Sequence, residues 1–174
     1  MDISFREVKK DSIGDYILIA KWSNDPSIRH LTTPNFTGDI LPPVTPEELY
    51  KASLNKPGTH HYMILAGNIE IGEFSIQIDP PQLFKKVEKT AWIGITIGEE
   101  KYRGMGIGKS ALQFLESECS KLKLARIELG VFEFNHNAIK LYKNMGYEEI
   151  GTLKNFTCYE GKWYNDIRLE KYLK

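Results

Sequence analysis

Cysteine is scarce in this 174-residue chain: Cys119 and Cys158 stand far apart and form neither a C-x-x-C pair nor a metal-ligand spacing. A disulfide framework is therefore excluded, no metal site is expected, and a reducing, cytoplasmic setting fits best. An excess of either charge is also lacking, with 23 Lys and Arg against 23 Asp and Glu. Without such an excess, no general attraction to nucleic acid or to an anionic membrane is expected. Long apolar runs are missing as well. The opening segment MDISFREVKK is charged and has no apolar stretch of signal-peptide length, so neither export nor membrane insertion is expected. Repeats and low-complexity segments are absent too.

What is present is ordinary for a globular protein, 41% hydrophobic and 26% charged residues, at a length that fits one domain over residues 1–174. Residues Ile3 to Val8 alternate as a half-buried strand does, and DSIGDYILIAKWSND predicts a helix started by Asp11 or Ser12. From Pro26 to Val44 four prolines and no periodicity predict a long loop or a broken helix. TPEELYKASLN restarts a helix, with Thr45 as cap and Glu48 at capping-box spacing. Two strands around Gly67-Asn68 predict a hairpin, with a bulge at Gly72 where the apolar parity changes. A third strand, KTAWIGITIGEE, puts Ile93, Ile95 and Ile97 on one face and Trp92, Gly94 and Thr96 on the other.

The stretch YRGMGIGKSALQFLE carries glycines at 104, 106 and 108 ahead of a helix whose Ile107, Ala111, Leu115, Cys119 and Leu122 share a face. A strand, a short helix from Asn135 to a stop at Gly146, and two strands turning near Glu160-Gly161 complete the chain. The predicted order is β-α-α-β-β-β-α-β-α-β-β, an α/β mixed sheet with a parallel crossover around the glycine helix.

Glycines at a helix start suit phosphate, because free amides and the helix dipole converge there. A Walker loop ending at Gly108-Lys109-Ser110 needs glycine at 103, which is arginine. A dinucleotide fingerprint matches Gly106-Ile-Gly108-Lys-Ser-Ala111, but its ribose-binding acid would be Glu128, in mid-strand rather than at a strand's carboxyl end. The third pattern is [QR]-x-x-G-x-[GA], matched by Arg103-Gly-Met-Gly106-Ile-Gly108 and followed by NHNAIKLYKNMGY. With these two motifs in order, nearly the whole chain resembles the GNAT superfamily of acetyl-CoA-dependent N-acetyltransferases. WSNDPSIRHL and GKWYNDIRLEKYL resemble its ribosomal-protein N-terminal and spermidine branch.

The resemblance implies a single-domain GNAT fold. It implies acetyl-CoA as co-substrate, with its pyrophosphate on Arg103, Gly104, Met105, Gly106, Ile107, Gly108 and Lys109, where Arg103 and Lys109 add charge. The pantetheine arm would pair with Ile95, Thr96 and Ile97, which splay from a neighbouring strand, and would meet Asn135 and Ala138. Tyr142 holds the position of the general acid that protonates the coenzyme A thiolate, which suits a phenol of pKa ~10. Ala138, Leu141, Tyr142 and Met145 also form one apolar stripe, which by itself would make that tyrosine core.

Where spermidine-type members carry central glutamates, this chain has Ser75 and Trp92, leaving Glu73 or a water relay as the expected base. Removing the proton from an amine of pKa ~10.4 at pH 7 costs about 4 to 5 kcal/mol, against about 1 for an α-amine of pKa ~7.8. A peptide N-terminus or an amino sugar is therefore expected over a polyamine. Asp39, Glu47 and Glu48 keep a polyamine open, and a non-catalytic acyl-CoA-binding module is the competing class. Arg29, His30, Trp92, Tyr159 and, in the same set, Trp22 are the expected acceptor-pocket residues beside Glu73. The aromatic terminal strands suit either a homodimer seam or a core.

Overall fold

The structure is a computed structural model and describes residues 1–173. Its elements are β1 (Ile3–Glu7), α1 (Gly14–Ser23), α2 (Pro26–Thr32), α3 (Pro46–Leu54), β2 (Thr59–Ala66), β3 (Ile69–Ile78) and β4 (Thr90–Ile97). There follow a single 3-10 turn (Glu100–Tyr102), α4 (Ile107–Lys121), β5 (Arg126–Phe132), α5 (His136–Asn144), β6 (Glu148–Tyr159) and β7 (Lys162–Tyr172).

The element order matches the expected one except for α2, where a loop or broken helix was expected. Asp25 accepts from the Ser27 amide and Pro26 sits in the first turn, so seven residues of the proline-rich segment are helical. The start of α1 also differs. It begins at Gly14, and Ser12 only accepts from the Gly14 amide at 3.4 Å. Asp15 turns inward instead, gripped by Arg6 at 2.7 and 2.8 Å. The Thr45–Glu48 capping box is present as expected.

Seven strands form one sheet in the order β1-β2-β3-β4-β5-β7-β6. Every neighbouring pair is antiparallel except β4 and β5. The register between β2 and β3 slips after Ile64↔Gly72, which places the bulge where the parity changed. Gly72 is required there, because a Cβ would run into the Thr96 carbonyl of β4.

On one face α4 buries Ile107, Ala111, Leu112, Leu115 and Cys119 against Ile127, Leu129 and the central strands. Each large aliphatic buried this way contributes roughly 1.5–3 kcal/mol. A second apolar cluster, around Tyr16, Ile19, Trp22, Ile28 and Met63, holds α1 and α2 to the opposite face. Over β5 and β7 that opposite face is covered differently. Arg126, Glu128, Asp166, Arg168 and Glu170 are all buried there. The amides of Phe84 and Lys85 donate to Glu128, pinning the β3–β4 connection over the charges.

The parallel pair is short. Thr90, Ala91 and Trp92 pair with Arg126, Ile127 and Glu128, and nothing beyond them does. From Ile93 onward β4 bonds only β3, and from Leu129 onward β5 bonds only β7. The strands therefore diverge toward the glycine loop.

Candidate active site

The glycine loop stands where β4 leaves that divergence. Gly104 and Gly106 have φ of 75° and 81°, and Gly106 caps α4 in the left-handed region. A Cβ at either would meet no atom within 4 Å, so the glycines are needed for their dihedrals. At Gly108 the reason is packing, since a Cβ would lie 3.2 Å from Leu141 Cδ2 on α5.

Arg103 and Lys109 donate their amides to Glu100 and Gly106 respectively. Among the described residues, none of the amides of Gly104, Met105, Gly106, Ile107 and Gly108 has a protein acceptor. Five unpaired N–H groups at a helix N-terminus, with Lys109 exposed beside them, fit a pyrophosphate.

The Arg103 side chain departs from the expectation that it adds charge to this cradle. Its Nε donates to the Ile97 carbonyl at 3.0 Å and its Nη2 to Gly98 O at 2.6 Å, while Ser27 and Asp25 take the remaining bonds. The guanidinium ties the loop to the end of β4 and to α2. Ile107 likewise offers only its amide, its side chain being 2% exposed in the core.

A cleft of about 510 Å³ runs through the opening between the diverging strands. Ile95 and Thr96 of β4 line it together with Asn135, just before α5, and Ala138 and Tyr142 of α5. Asn135 also caps α5 by accepting from the Ala138 amide at 3.3 Å. Tyr142 is 8% exposed, and burial pushes its phenol up to about 12. Ile97 is not among the lining residues, although it lies on the same stretch of β4 that has parted from β5. Toward the other face stand Glu73, Ser75 and Trp92, with Thr33, Pro34 and Phe36 from the proline-rich segment above them. That segment is fastened to β6, where the Cys158 amide donates to Asn35 O and the Asn35 amide to Thr157 Oγ1. Glu73 is not free: His61 Nε2 lies 2.8 Å from its Oε2.

The structure does not bring Arg29, His30 and Tyr159 into the cleft. Arg29 donates to the Leu41 and Pro42 carbonyls and so bridges α2 to the segment after it. His30 stacks on Tyr159 with ring centroids 4.4 Å apart, and Phe134 stacks on both. Trp22 is core, donating to Glu99 at 2.9 Å with its ring against Gly98. Aromatic and basic residue types suggested a pocket for these four. Packing and carbonyl bonds use them instead.

Two cleft residues went unnoticed in the sequence. Asp166 and Arg168 lie on β7, both nearly buried, with Arg168 Nε 2.7 Å from Asp166 Oδ2. The Arg168 guanidinium lies 4.7 Å over the Trp92 ring. In NDIRLEKY these residues read as the polar face of a half-buried strand. The one available signal was Gly130 in mid-strand, which marks a close approach.

A sheet opened beside a cradle of free amides at a helix N-terminus is an arrangement suited to a pyrophosphate-bearing ligand with an extended arm. Residues 26–147 match the family model described as the acetyltransferase (GNAT) family, and the chain belongs to that family. A spermine/spermidine N(1)-acetyltransferase of Bacillus subtilis is 38% identical over 63 residues, 36% of this chain and 41% of that protein. The chain thus matches about two fifths of that relative's length. Among solved structures, a spermidine N-acetyltransferase from Vibrio cholerae with CoA and spermine superposes with a TM-score of 0.79 at 19% identity, covering 98% of this chain and 95% of that one. A ribosomal-protein-alanine N-acetyltransferase from Brucella melitensis superposes with a TM-score of 0.77 at 21% identity, covering 98% and 99%. At these identities the two structures are alike in fold. Among the described residues no group of three or more metal-ligating side chains occurs, and no helix is long and apolar enough to cross a membrane.

Proposed function

We propose that the chain transfers the acetyl group of acetyl-CoA to a primary amine carrying a single positive charge, a peptide N-terminus or an amino sugar. The observation that carries this is the divergence of β4 and β5 beside five unpaired amides, a pyrophosphate cradle and a strand edge in line. In this reading the amides of Gly104 to Gly108 hold the pyrophosphate, with Lys109 beside them. The peptide groups of β4 near Ile95, Thr96 and Ile97 that face the opening, apart from the Ile97 carbonyl held by Arg103, pair with the pantetheine arm and polarise the thioester carbonyl. Tyr142 donates a proton to the departing thiolate, and its raised pKa keeps that proton available at neutral pH. Asn135 and Ala138 border the arm.

On the acceptor side the cleft offers two carboxylates, Glu73 and Asp166, against one guanidinium, Arg168. A balance of one surplus negative charge matches one ammonium and is poor for a polycation. Trp92 walls the pocket beside them. The polyamine reading is favoured by one specific observation, the 38% identity to a spermine/spermidine acetyltransferase over 63 residues.

Release of free thiol from acetyl-CoA, measured with an Ala-headed peptide, glucosamine and spermidine, decides between them. The expected kcat/KM for the peptide or the amino sugar is at least tenfold above that for spermidine; comparable values defeat the proposal. Protection from heat by acetyl-CoA without amine-dependent thiol would mark a binding module.

A further inference from the structure

Gly94 on β4 and Gly130 on β5 each stand two residues beyond Trp92↔Glu128, the last pair before the strands diverge. Both line the cleft on the same face as Trp92 and Glu128. On that face, level with Gly94 and Gly130, the two strands thus present no side chain. Into that gap β7 sends one carboxylate. Asp166 lies against Gly130 so closely that a Cβ there would stand 2.6 Å from its Oδ2.

Asp166 is 2% exposed and lines the cleft. Its polar contact within the protein is Arg168 Nε at 2.7 Å, and among the described residues no donor makes a well-aligned hydrogen bond to its oxygens. A buried carboxylate normally accepts several such bonds. Glu128, two residues before Gly130 on the same strand, does: Arg126 and the Phe84 and Lys85 amides all donate to it. Asp166 is thus an under-bonded acid facing the cleft where the two strands part.

We propose that Asp166 is the group that receives the acceptor's ammonium and takes its proton. The proposal rests on the reading of the chain as an acetyltransferase of amines, and it replaces Glu73 in that step. The R–NH3⁺ group donates to the carboxylate, and one N–H bond breaks as an O–H bond forms. The freed lone pair makes the C–N bond at the thioester carbon, and the C–S bond breaks. The thiolate takes the Tyr142 proton, and the phenol is restored by the second proton leaving the nitrogen. Asp166 returns its proton to water, so the sum is one amide, one thiol and one proton released.

The groups facing Asp166 permit this. On β7 itself Arg168 supplies positive charge, and Arg168 Nη1 is also 3.9 Å from Glu128 Oε1 on β5. Phe156 of β6 and Trp92 of β4 pack the guanidinium with carbon. Glu73 of β3 borders the same cleft, held by His61 of β2, and Tyr142 faces it from α5. Burial outweighs Arg168 and pushes the carboxyl up to about 6. Such a base suits an α-amine better than a polyamine, because the proton moves uphill by about two pKa units rather than more than four.

The test compares Asp166→Asn and Glu73→Gln in thiol release with the best amine of the panel. For Asp166→Asn, kcat/KM for the amine is expected to fall at least 100-fold, with KM for acetyl-CoA within threefold of the unaltered protein. The acid limb of the pH profile, with its inflection near 6, is expected to disappear in Asp166→Asn and to persist in Glu73→Gln. Activity within threefold in Asp166→Asn, or a limb that vanishes only in Glu73→Gln, overturns the proposal. Gly130→Ala, which crowds the carboxylate without touching its charge, is expected to raise the amine KM tenfold or more. An unchanged amine KM there counts equally against it.

If the unaltered protein acetylates no amine, the acetyltransferase reading fails separately. Calorimetric titration of the peptide, glucosamine and spermidine into the protein with coenzyme A then judges Asp166. Affinity at least tenfold weaker in Asp166→Asn supports the ammonium site, and equal affinity or no binding to either protein overturns it.

Discussion

Arg103 Nη2 donates to Asp25 Oδ2 at 3.2 Å, joining the glycine loop to the cap of α2. The same guanidinium holds the Ile97 and Gly98 carbonyls at the end of β4. Its role is to set where the loop stands. Arg103→Ala is expected to cost about 2 kcal/mol, the loss of several charge-assisted bonds from a partly buried group. It should also raise KM for acetyl-CoA through a displaced loop. Arg103→Lys should do nearly as badly, because a point charge cannot span four acceptors. Urea unfolding beside acetyl-CoA kinetics checks this: a raised KM at unchanged stability would return the arginine to the pyrophosphate.

The three glycines of the loop are expected to respond differently to alanine. At 104 and 106 the left-handed dihedrals make Ala cost about 1–2 kcal/mol and tilt the amides that must converge. Acetyl-CoA KM should rise about tenfold or more in both. At 108 the Cβ meets only the end of the Leu141 side chain, which can turn aside, and Ala regains helix propensity of up to about 1 kcal/mol. Gly108→Ala should leave stability within about 1 kcal/mol. Thermal unfolding and acetyl-CoA titration of all three variants test the ranking, which an equal loss at 108 would refute.

These contrasts show what local sequence could and could not carry. Thr45 with Glu48, the Gly67-Asn68 turn and the Asn135 cap are each settled by neighbours within a few residues, and the structure has each of them. The amide cradle was legible for the same reason. Arg103 was misread because Ser27 and Asp25 are more than 70 residues away in sequence. Asp166 was missed because alternation along β7 says which residues share a face, and not what covers that face. The opening between β4 and β5 depends on where pairing stops, which no composition or period encodes. Asp25 and Pro26 did encode α2, but the three later prolines obscured a helix of only seven residues.

Removing one oxygen separates the chemical and packing roles of Tyr142. The ring packs in the core while the residue also lines the cleft. Tyr142→Phe keeps that packing, so the melting temperature should change by no more than a few degrees. If the phenol protonates the thiolate, kcat should fall about 100-fold or more, with KM for acetyl-CoA within a factor of about three. Because burial pushes its pKa up to about 12, Tyr142 should cause no fall in kcat between about pH 8 and 10. Steady-state thiol release across that range is the measurement. A kcat within threefold of the unaltered protein would leave Tyr142 as core alone.

Asp166 makes a prediction about stability that is independent of turnover. Its carboxyl is raised from an ordinary 3.8 to about 6, chiefly by burial. Between those values the native state holds a proton that the unfolded chain has lost, so stability falls as pH rises. The contribution of the neutral carboxyl is complete below about pH 4 and is lost as pH passes through about 6. Asparagine keeps the shape and never ionises. Asp166→Asn should therefore be more stable than the unaltered protein at pH 8, by about 1–3 kcal/mol, and should show no such gain at pH 4. Urea denaturation at both pH values reads the difference directly. A gain of equal size at both, or a loss at pH 8, would show that Arg168 compensates the buried charge in full, and a carboxylate so satisfied would have no call on an incoming ammonium.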